Sequence, residues 1–143
     1  MADFKWTRSN EIGHPGIDEQ HRRLFLLAEA VAVPLVNAAD FKPDPAKLKA
    51  LIDFVVEHFA FEEGLMRSAG FPEAERHAKY HVALLLELKT YCARVDRGMK
   101  TDADSLIEFL WNWLLLHIDT ADRELAVWLR ARETAATKGA TQT

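Results

Sequence analysis

Apolar side chains recur every three or four residues in four long segments of this chain, and that periodicity limits what it can fold into. The pattern is typical of amphipathic helices that bury one face. It is clearest in the second segment, where the apolar residues are Leu48, Leu51, Ile52, Val55, Val56 and Phe59. We see no alternating runs and no hairpin turns that would indicate strands. Four helices joined by short connections predict an all-α fold, an up-down-up-down antiparallel four-helix bundle.

Proline, glycine and capping residues mark the first half of this bundle. Residues 1–17 form an irregular N-terminal arm in this prediction, and Asp18 caps a first helix that starts just after it. Pro34 removes a backbone donor, so we expect a kink or an early end of that helix. Asp44 followed by Pro45 predicts the start of a second helix that runs to about Met66.

Similar signals mark the second half. A third helix is expected from Pro72 to about Val95. Thr101, with Asp104 three residues later, resembles a capping box that opens a fourth helix ending near Arg132. The small and polar residues 133–143 are expected to be a flexible tail. Residues 1–143 thus form a single domain, with the bundle over 18–132.

Composition narrows the choice of compartment and partners. A chain of 143 residues with net charge −4 and no basic run is an unlikely partner for nucleic acid. Its longest apolar run is shorter than the ~20 residues that a membrane-spanning helix needs. Cys92 is the one cysteine, so no intrachain disulfide can form, which fits a reducing compartment. We expect a cytoplasmic monomer.

Side chains of the kind that bind metals occur on all four predicted helices. The first helix carries one, and each later helix carries a pair four or five residues apart. They are His21, His58, Glu62, His77, His81, His117 and Asp122. Residues four apart lie on one face of a helix, and each histidine shares the phase of its neighbouring apolar residues. Every predicted helix therefore points imidazole or carboxylate groups at the core.

A single buried histidine would be read as a core residue with a satisfied hydrogen bond. Five buried imidazoles would each need polar partners, at about 1–3 kcal/mol for each group left unsatisfied. Two buried carboxylates would also need neutralising. One shared cluster of cations meets all these needs at once, which favours metal binding.

The number of candidate ligands indicates two metal ions. Seven is too many for one tetrahedral zinc, and calcium and magnesium prefer oxygen ligands. Two ions bridged by Glu62 and Asp122 would use all of them. Imidazole suits iron, zinc, copper and nickel, so the count alone leaves the metal open. Asp122 lies about 140° around an ideal helix from His117, so a local distortion is needed for both side chains to bind the same ions. Asp119 is a worse alternative, because it is offset from His117 by only two residues.

These residues and their flanking sequences resemble those of the hemerythrin family, most closely the bacterial single-domain bacteriohemerythrins. The pattern is a lone histidine, His-x-x-x-Glu, His-x-x-x-His and His-x-x-x-x-Asp. The flanking matches lie in residues 17–21, 58–66, 70–77 and 113–118, and the likeness spans 6–129. All seven ligand positions hold the expected residue type.

The resemblance implies an oxo- or hydroxo-bridged di-iron centre that binds O2 reversibly. One iron would be held by His77, His81 and His117, and the other by His21 and His58, with both carboxylates bridging. The implied lining of the oxygen pocket is Leu24, Phe59, Trp113 and Leu114.

Three uses of such a centre remain open. The first is O2 storage, delivery or sensing by a protein that is not an enzyme, whose O2-consuming client or electron donor is unidentified. The alternatives are a di-iron peroxidase or O2/NO scavenging protein, and a protein of metal homeostasis.

Overall fold

The computed structural model describes residues 6–36, 42–98 and 102–141, except for the side chains of 119 and 136–141. Within these ranges helices are the only regular secondary structure, with no strand. The main helices are α1 (Pro15–Ala32), α2 (Pro45–Ala69), α3 (Ala74–Asp96), α4 (Ala103–His117) and α5 (Arg123–Thr141). Five residues of π-helix, Ile118–Asp122, join α4 to α5, so these two form the fourth rod of the bundle.

The four rods pack as the periodicity predicts, and the four-helix bundle is confirmed. Helix α2 packs against both α1 and α3, while α4 closes the bundle against α1 and α3. Their apolar faces meet in one core, in which Ile17, Val55 and Leu106 have no exposed surface. None of the described helices has the length and apolar character required to cross a membrane.

Two predicted boundaries are confirmed. Helix α1 stops at Ala32, and a short 3-10 turn, Val33–Leu35, carries Pro34 in place of a regular α-helical turn. Asp44 caps α2, since its carboxylate accepts a hydrogen bond from the Ala46 amide at 2.9 Å.

The predicted start of α1 is wrong by about one turn. The helix begins at Pro15, and the cap is His14, whose Nδ1 accepts a hydrogen bond from the Ile17 amide at 3.2 Å. The Asp18 side chain instead points towards the preceding arm, where its carboxylate accepts hydrogen bonds from the amides of Ile12 at 2.8 Å and Gly13 at 3.0 Å. The residue taken for a cap thus ties the N-terminal arm to the bundle.

The two ends of the fourth rod also differ from expectation. Asp102, not Thr101, caps α4 by accepting from the Ser105 amide at 2.8 Å, and Thr101 itself lies outside the described residues. The backbone of α5 continues to Thr141, well beyond Arg132. Adding a residue to an existing helix is much easier than starting one, so a small polar sequence can remain helical. The flexibility of 133–143 stays a prediction.

Candidate metal centre

All seven side chains selected from the sequence meet in the middle of the bundle. His77 is the most exposed of them, at 4%, and Glu62, Asp122 and three of the histidines are completely buried. Helix α1 supplies one side chain, α2 and α3 two each, and the fourth rod two. Groups this polar are rarely buried unless they pair with one another or bind metal.

The ligand atoms form two overlapping groups, in each of which all atoms lie within 4.8 Å of one another. One group contains His21, His58 and His117, and the other contains His77 and His81. Glu62 and Asp122 belong to both groups. Two carboxylates shared by two sets of imidazoles is the arrangement expected for a pair of ions with bridging ligands.

The π-helical turn brings Asp122 into the centre. The Arg123 amide bonds to the Ile118 carbonyl five residues back, which widens the turn by one residue relative to an α-helix. As a result Asp122 Oδ2 lies 2.6 Å from Nε2 of both His21 and His117. This is the distortion that the five-residue spacing requires. The side chain of Asp119, the alternative, lies outside the described part.

Glu62 has the matching position on α2. Its Oε1 lies 3.1 Å from His81 Nε2 and 3.3 Å from His58 Nε2, so it touches both groups of imidazoles. Its second oxygen, Oε2, is buried and has no hydrogen-bond partner among the described residues. A buried carboxylate oxygen without a partner carries a large desolvation cost that a cation would remove.

His117 lies between the two sets of imidazoles. Its ring centroid is 5.3 Å from that of His58 and 5.7 Å from those of His21 and His81. The grouping by ligand atoms places it with His21 and His58, whereas the resemblance would place it with the α3 histidines. The division of the histidines between two ions therefore remains a proposal.

The cluster shifts the acidity of its own members in the absence of metal. Burial lowers the pKa of His77, but the hydrogen bond to Asp122 at 3.1 Å and the Glu62 carboxylate 3.8 Å away outweigh it and raise the pKa to about 9. The pKa of His58 is also raised, since the carboxylates outweigh burial, whereas burial prevails and lowers that of His117. Burial raises the carboxylate pKa values, but the imidazoles lower both, most strongly that of Asp122.

The residues present fit a pair of transition-metal ions. His58 Nε2 and His117 Nε2 lie 3.1 Å apart, so two ring nitrogens of the kind that binds metals converge on one point. Two lone pairs facing each other at this distance would repel, so either a proton on one of the nitrogens or a cation must lie between them. Five imidazoles and two carboxylates are a suitable donor set for iron.

The four predicted pocket residues are all buried, and the two aromatic ones lie against imidazole rings. Leu24 and Leu114 are 1% and 2% exposed. Phe59 stacks on His81 with ring centroids 3.9 Å apart, and Trp113 lies parallel to His117 at 6.1 Å. The Trp113 indole also donates to the Leu84 carbonyl at 3.0 Å, which fixes its ring. Two aromatic rings therefore border the centre, and the lining by all four residues stays a prediction.

Two further titratable residues do not join the centre. His14 caps α1, as described, and does not belong to either ligand group. Cys92 is a buried free thiol in α3, and burial raises its pKa to about 11.

Two residues that the sequence did not identify approach the imidazoles from outside. Gln20 Oε1 lies 2.7 Å from His58 Nδ1, and Glu63 Oε2 lies 3.7 Å from His81 Nδ1. Their positions depend on how neighbouring helices pack, which no spacing within one helix reveals.

Comparison with known proteins gives a consistent picture. Residues 13–129 match the family described as the Hemerythrin HHE cation binding domain. A hemerythrin-like protein of Naegleria gruberi is 33% identical over 122 residues, 85% of this chain and 89% of that protein. A bacteriohemerythrin of Stenotrophomonas maltophilia (strain R551-3) is 30% identical over 131 residues, 92% of this chain and 84% of that protein.

A solved structure agrees in fold. The crystal structure of a wild-type hemerythrin superposes with a TM-score of 0.74 at 24% identity, and covers 87% of this chain and 96% of that one.

Proposed function

The chain belongs to the hemerythrin family, whose function is oxygen binding, and from that premise we propose that it binds O2 reversibly at a centre of two iron ions. The observation that carries the proposal is the sharing of Glu62 and Asp122 by two sets of buried imidazoles. His21, His58, His77, His81 and His117 are the proposed remaining ligands, with an oxo or hydroxo group as a further bridge.

When bound, two ferrous ions supply the two electrons that O2 takes up on binding and returns on release. The side chains of this chain set the conditions. Neutral imidazoles contribute no charge, so the seven ligands carry only the two negative charges of Glu62 and Asp122. A ligand set with little negative charge stabilises higher oxidation states less than a carboxylate-rich one does. This favours release of O2 over cleavage of the O–O bond.

A proposed apolar wall supports the same conclusion. Leu24, Phe59, Trp113 and Leu114 are at most 5% exposed, and we propose that they line the space that O2 enters. An apolar lining excludes water and slows proton entry, and both effects oppose irreversible oxidation. We therefore propose a binding protein rather than an enzyme. We also propose that it is a monomer. The single buried Cys92 supports the cytoplasm as its compartment.

The decisive test is oxygen cycling of the reduced protein. The purified chain is loaded with iron, reduced without air, exposed to O2 and then returned to argon while visible spectra are recorded. We expect two irons per chain and an oxygen-dependent band that disappears and returns over several cycles. Asp122→Asn should bind less than two irons per chain, whereas Asp53→Asn, on the exposed surface of α2, should behave as the unmodified protein.

Two other outcomes would overturn the proposal. One-way oxidation, with sustained turnover when an electron donor is added, would indicate a peroxidase or an O2/NO scavenger. Binding of metal without any oxygen-dependent spectral change would indicate metal homeostasis.

A further inference from the structure

One amide side chain contacts the outer edge of the proposed metal centre. Gln20, half-buried on α1, places its Oε1 2.7 Å from Nδ1 of His58 on α2. His58 is completely buried, so this nitrogen has little other access to a partner. The contact joins two helices at the point where one of them supplies a proposed ligand.

Three of the other four imidazoles lack a comparable contact among the described residues. The Nδ1 atoms of His21, His81 and His117 are buried without a hydrogen-bond partner among the described residues. Glu63 lies 3.7 Å from His81 Nδ1, which is beyond hydrogen-bond distance. Among the buried outer nitrogens, that of His58 is thus held by a side chain.

With metal bound, the geometry would determine which nitrogen of His58 carries the proton. Its Nε2 faces inward, 3.3 Å from Glu62 Oε1 and 3.4 Å from Asp122 Oδ2. A nitrogen that binds a cation must present a lone pair, so Nδ1 carries the hydrogen and donates it to Gln20 Oε1. Such partners fix the ring orientation of metal-binding histidines and tune their basicity.

An amide has a different effect from a carboxylate in this position. A carboxylate draws the Nδ1 proton strongly and makes the imidazole a better electron donor, which stabilises the oxidised metal. An amide oxygen holds the proton with less pull, because it carries no net charge. The neutral partner therefore leaves the reduced state relatively more stable.

We propose that Gln20 is a positioning residue that holds His58 with Nε2 free for metal and keeps the centre in its reduced, oxygen-ready form. This inference rests on the proposed di-iron function. It does not depend on whether O2 binding is reversible, because the retention and the reduction potential of the metal report on Gln20 directly.

The test compares Gln20→Leu with Gln20→Glu, with Glu19→Leu on the exposed face of α1 as the matched control. Gln20→Leu removes the acceptor, and we expect iron to pass to a chelator about 10-fold faster or more. Gln20→Glu keeps a hydrogen-bond acceptor for His58 Nδ1 and adds a negative charge to it. It should retain iron as the unmodified protein does, while its reduction potential becomes more negative and autoxidation faster. Glu19→Leu should change none of these quantities.

A second readout is independent of oxygen and of redox state. Histidine 15N spectra of the zinc-loaded protein report which ring nitrogen carries the proton, and imidazole accepts zinc readily. We expect Nδ1–H at His58 in the unmodified protein and in Gln20→Glu, and loss of that protected resonance in Gln20→Leu.

The proposal would be overturned by equal iron retention in Gln20→Leu and the unmodified protein. It would also be overturned if Gln20→Glu lost iron as fast as Gln20→Leu, since a charged acceptor should rescue a positioning role. If these variants behave as expected and O2 still binds irreversibly, the proposed function fails and the role of Gln20 remains.

Discussion

The stability of the metal-free protein should fall as the pH rises from 6.5 to 9. The reason is His77, whose pKa rises from 6.5 to about 9 on folding because Asp122 accepts a hydrogen bond from it and the Glu62 carboxylate lies 3.8 Å away. A group with a raised pKa in the folded state stabilises the fold fully below its unfolded pKa. That stabilisation is lost as the pH passes through the folded value.

The size of the effect follows from the shift. A pKa that differs by one between the folded and unfolded states corresponds to 1.36 kcal/mol, so deprotonating His77 across this range removes about 3 kcal/mol. For a chain of this size that is a decrease in Tm on the order of 10 °C. The raised pKa of His58 acts in the same direction. Folding lowers the pKa of His117, so this histidine affects the free energy of unfolding only below pH 6.5, outside this range.

The assay is thermal unfolding of metal-free and iron-loaded protein at closely spaced pH values between 6 and 9.5. The loaded protein is the control, because imidazoles bound to metal through one nitrogen stay neutral and do not take up a second proton, so its Tm should change little over this interval. His77→Gln should reduce the slope of the metal-free protein. Equal stability of the metal-free protein at pH 6.5 and pH 9 would refute the assigned coupling between His77 and the two carboxylates.

Three substitutions test other parts of the structure. Leu114→Ala should accelerate autoxidation by opening the proposed apolar wall. Leu110→Ala, an equally buried control on α4, should lower the stability by a similar ~3 kcal/mol without accelerating autoxidation. Equal autoxidation rates in the two variants would argue against a protective wall. Glu62→Gln should reduce the iron content below two per chain in a metal assay, since an amide is a poor bridging ligand. Glu57→Gln, on the exposed face of α2, should leave the iron content unchanged. Full iron content in Glu62→Gln would exclude bridging. Asp18→Ala should destabilise the protein by about 1–3 kcal/mol in denaturant unfolding, because two amides of the N-terminal arm lose their acceptor, and an unchanged midpoint would show that the arm contributes nothing.

The sequence predicted the bundle and the meeting of the seven side chains because both follow from helical spacing. Once His58 shares the phase of Val55 and Leu51, burial of the apolar face places the imidazole in the core. The same holds for the residues that surround His81 and His117. A period that is repeated over several turns is a robust signal, since many side chains must agree with it.

What the sequence could not provide depends on contacts between helices or on single residues. The contact of Gln20 with His58 requires the relative rotation of α1 and α2. The position of His117 between two sets of imidazoles depends on four helices at once. The start of α1 was misplaced because Asp18 is equally able to cap a helix and to bind backwards to the arm. Local composition does not distinguish these two uses.

The π-helical turn has a consequence for protein engineering. Its extra residue is the means by which one rod presents both His117 and Asp122 to the same point, and a straight α-helix would turn the carboxylate aside. Grafting the seven side chains onto an idealised bundle with regular helices would therefore reproduce six ligand directions and lose the seventh. A designer who wishes to transplant this centre must copy a backbone irregularity along with the side chains, and must give the recipient helix one residue more than its length requires.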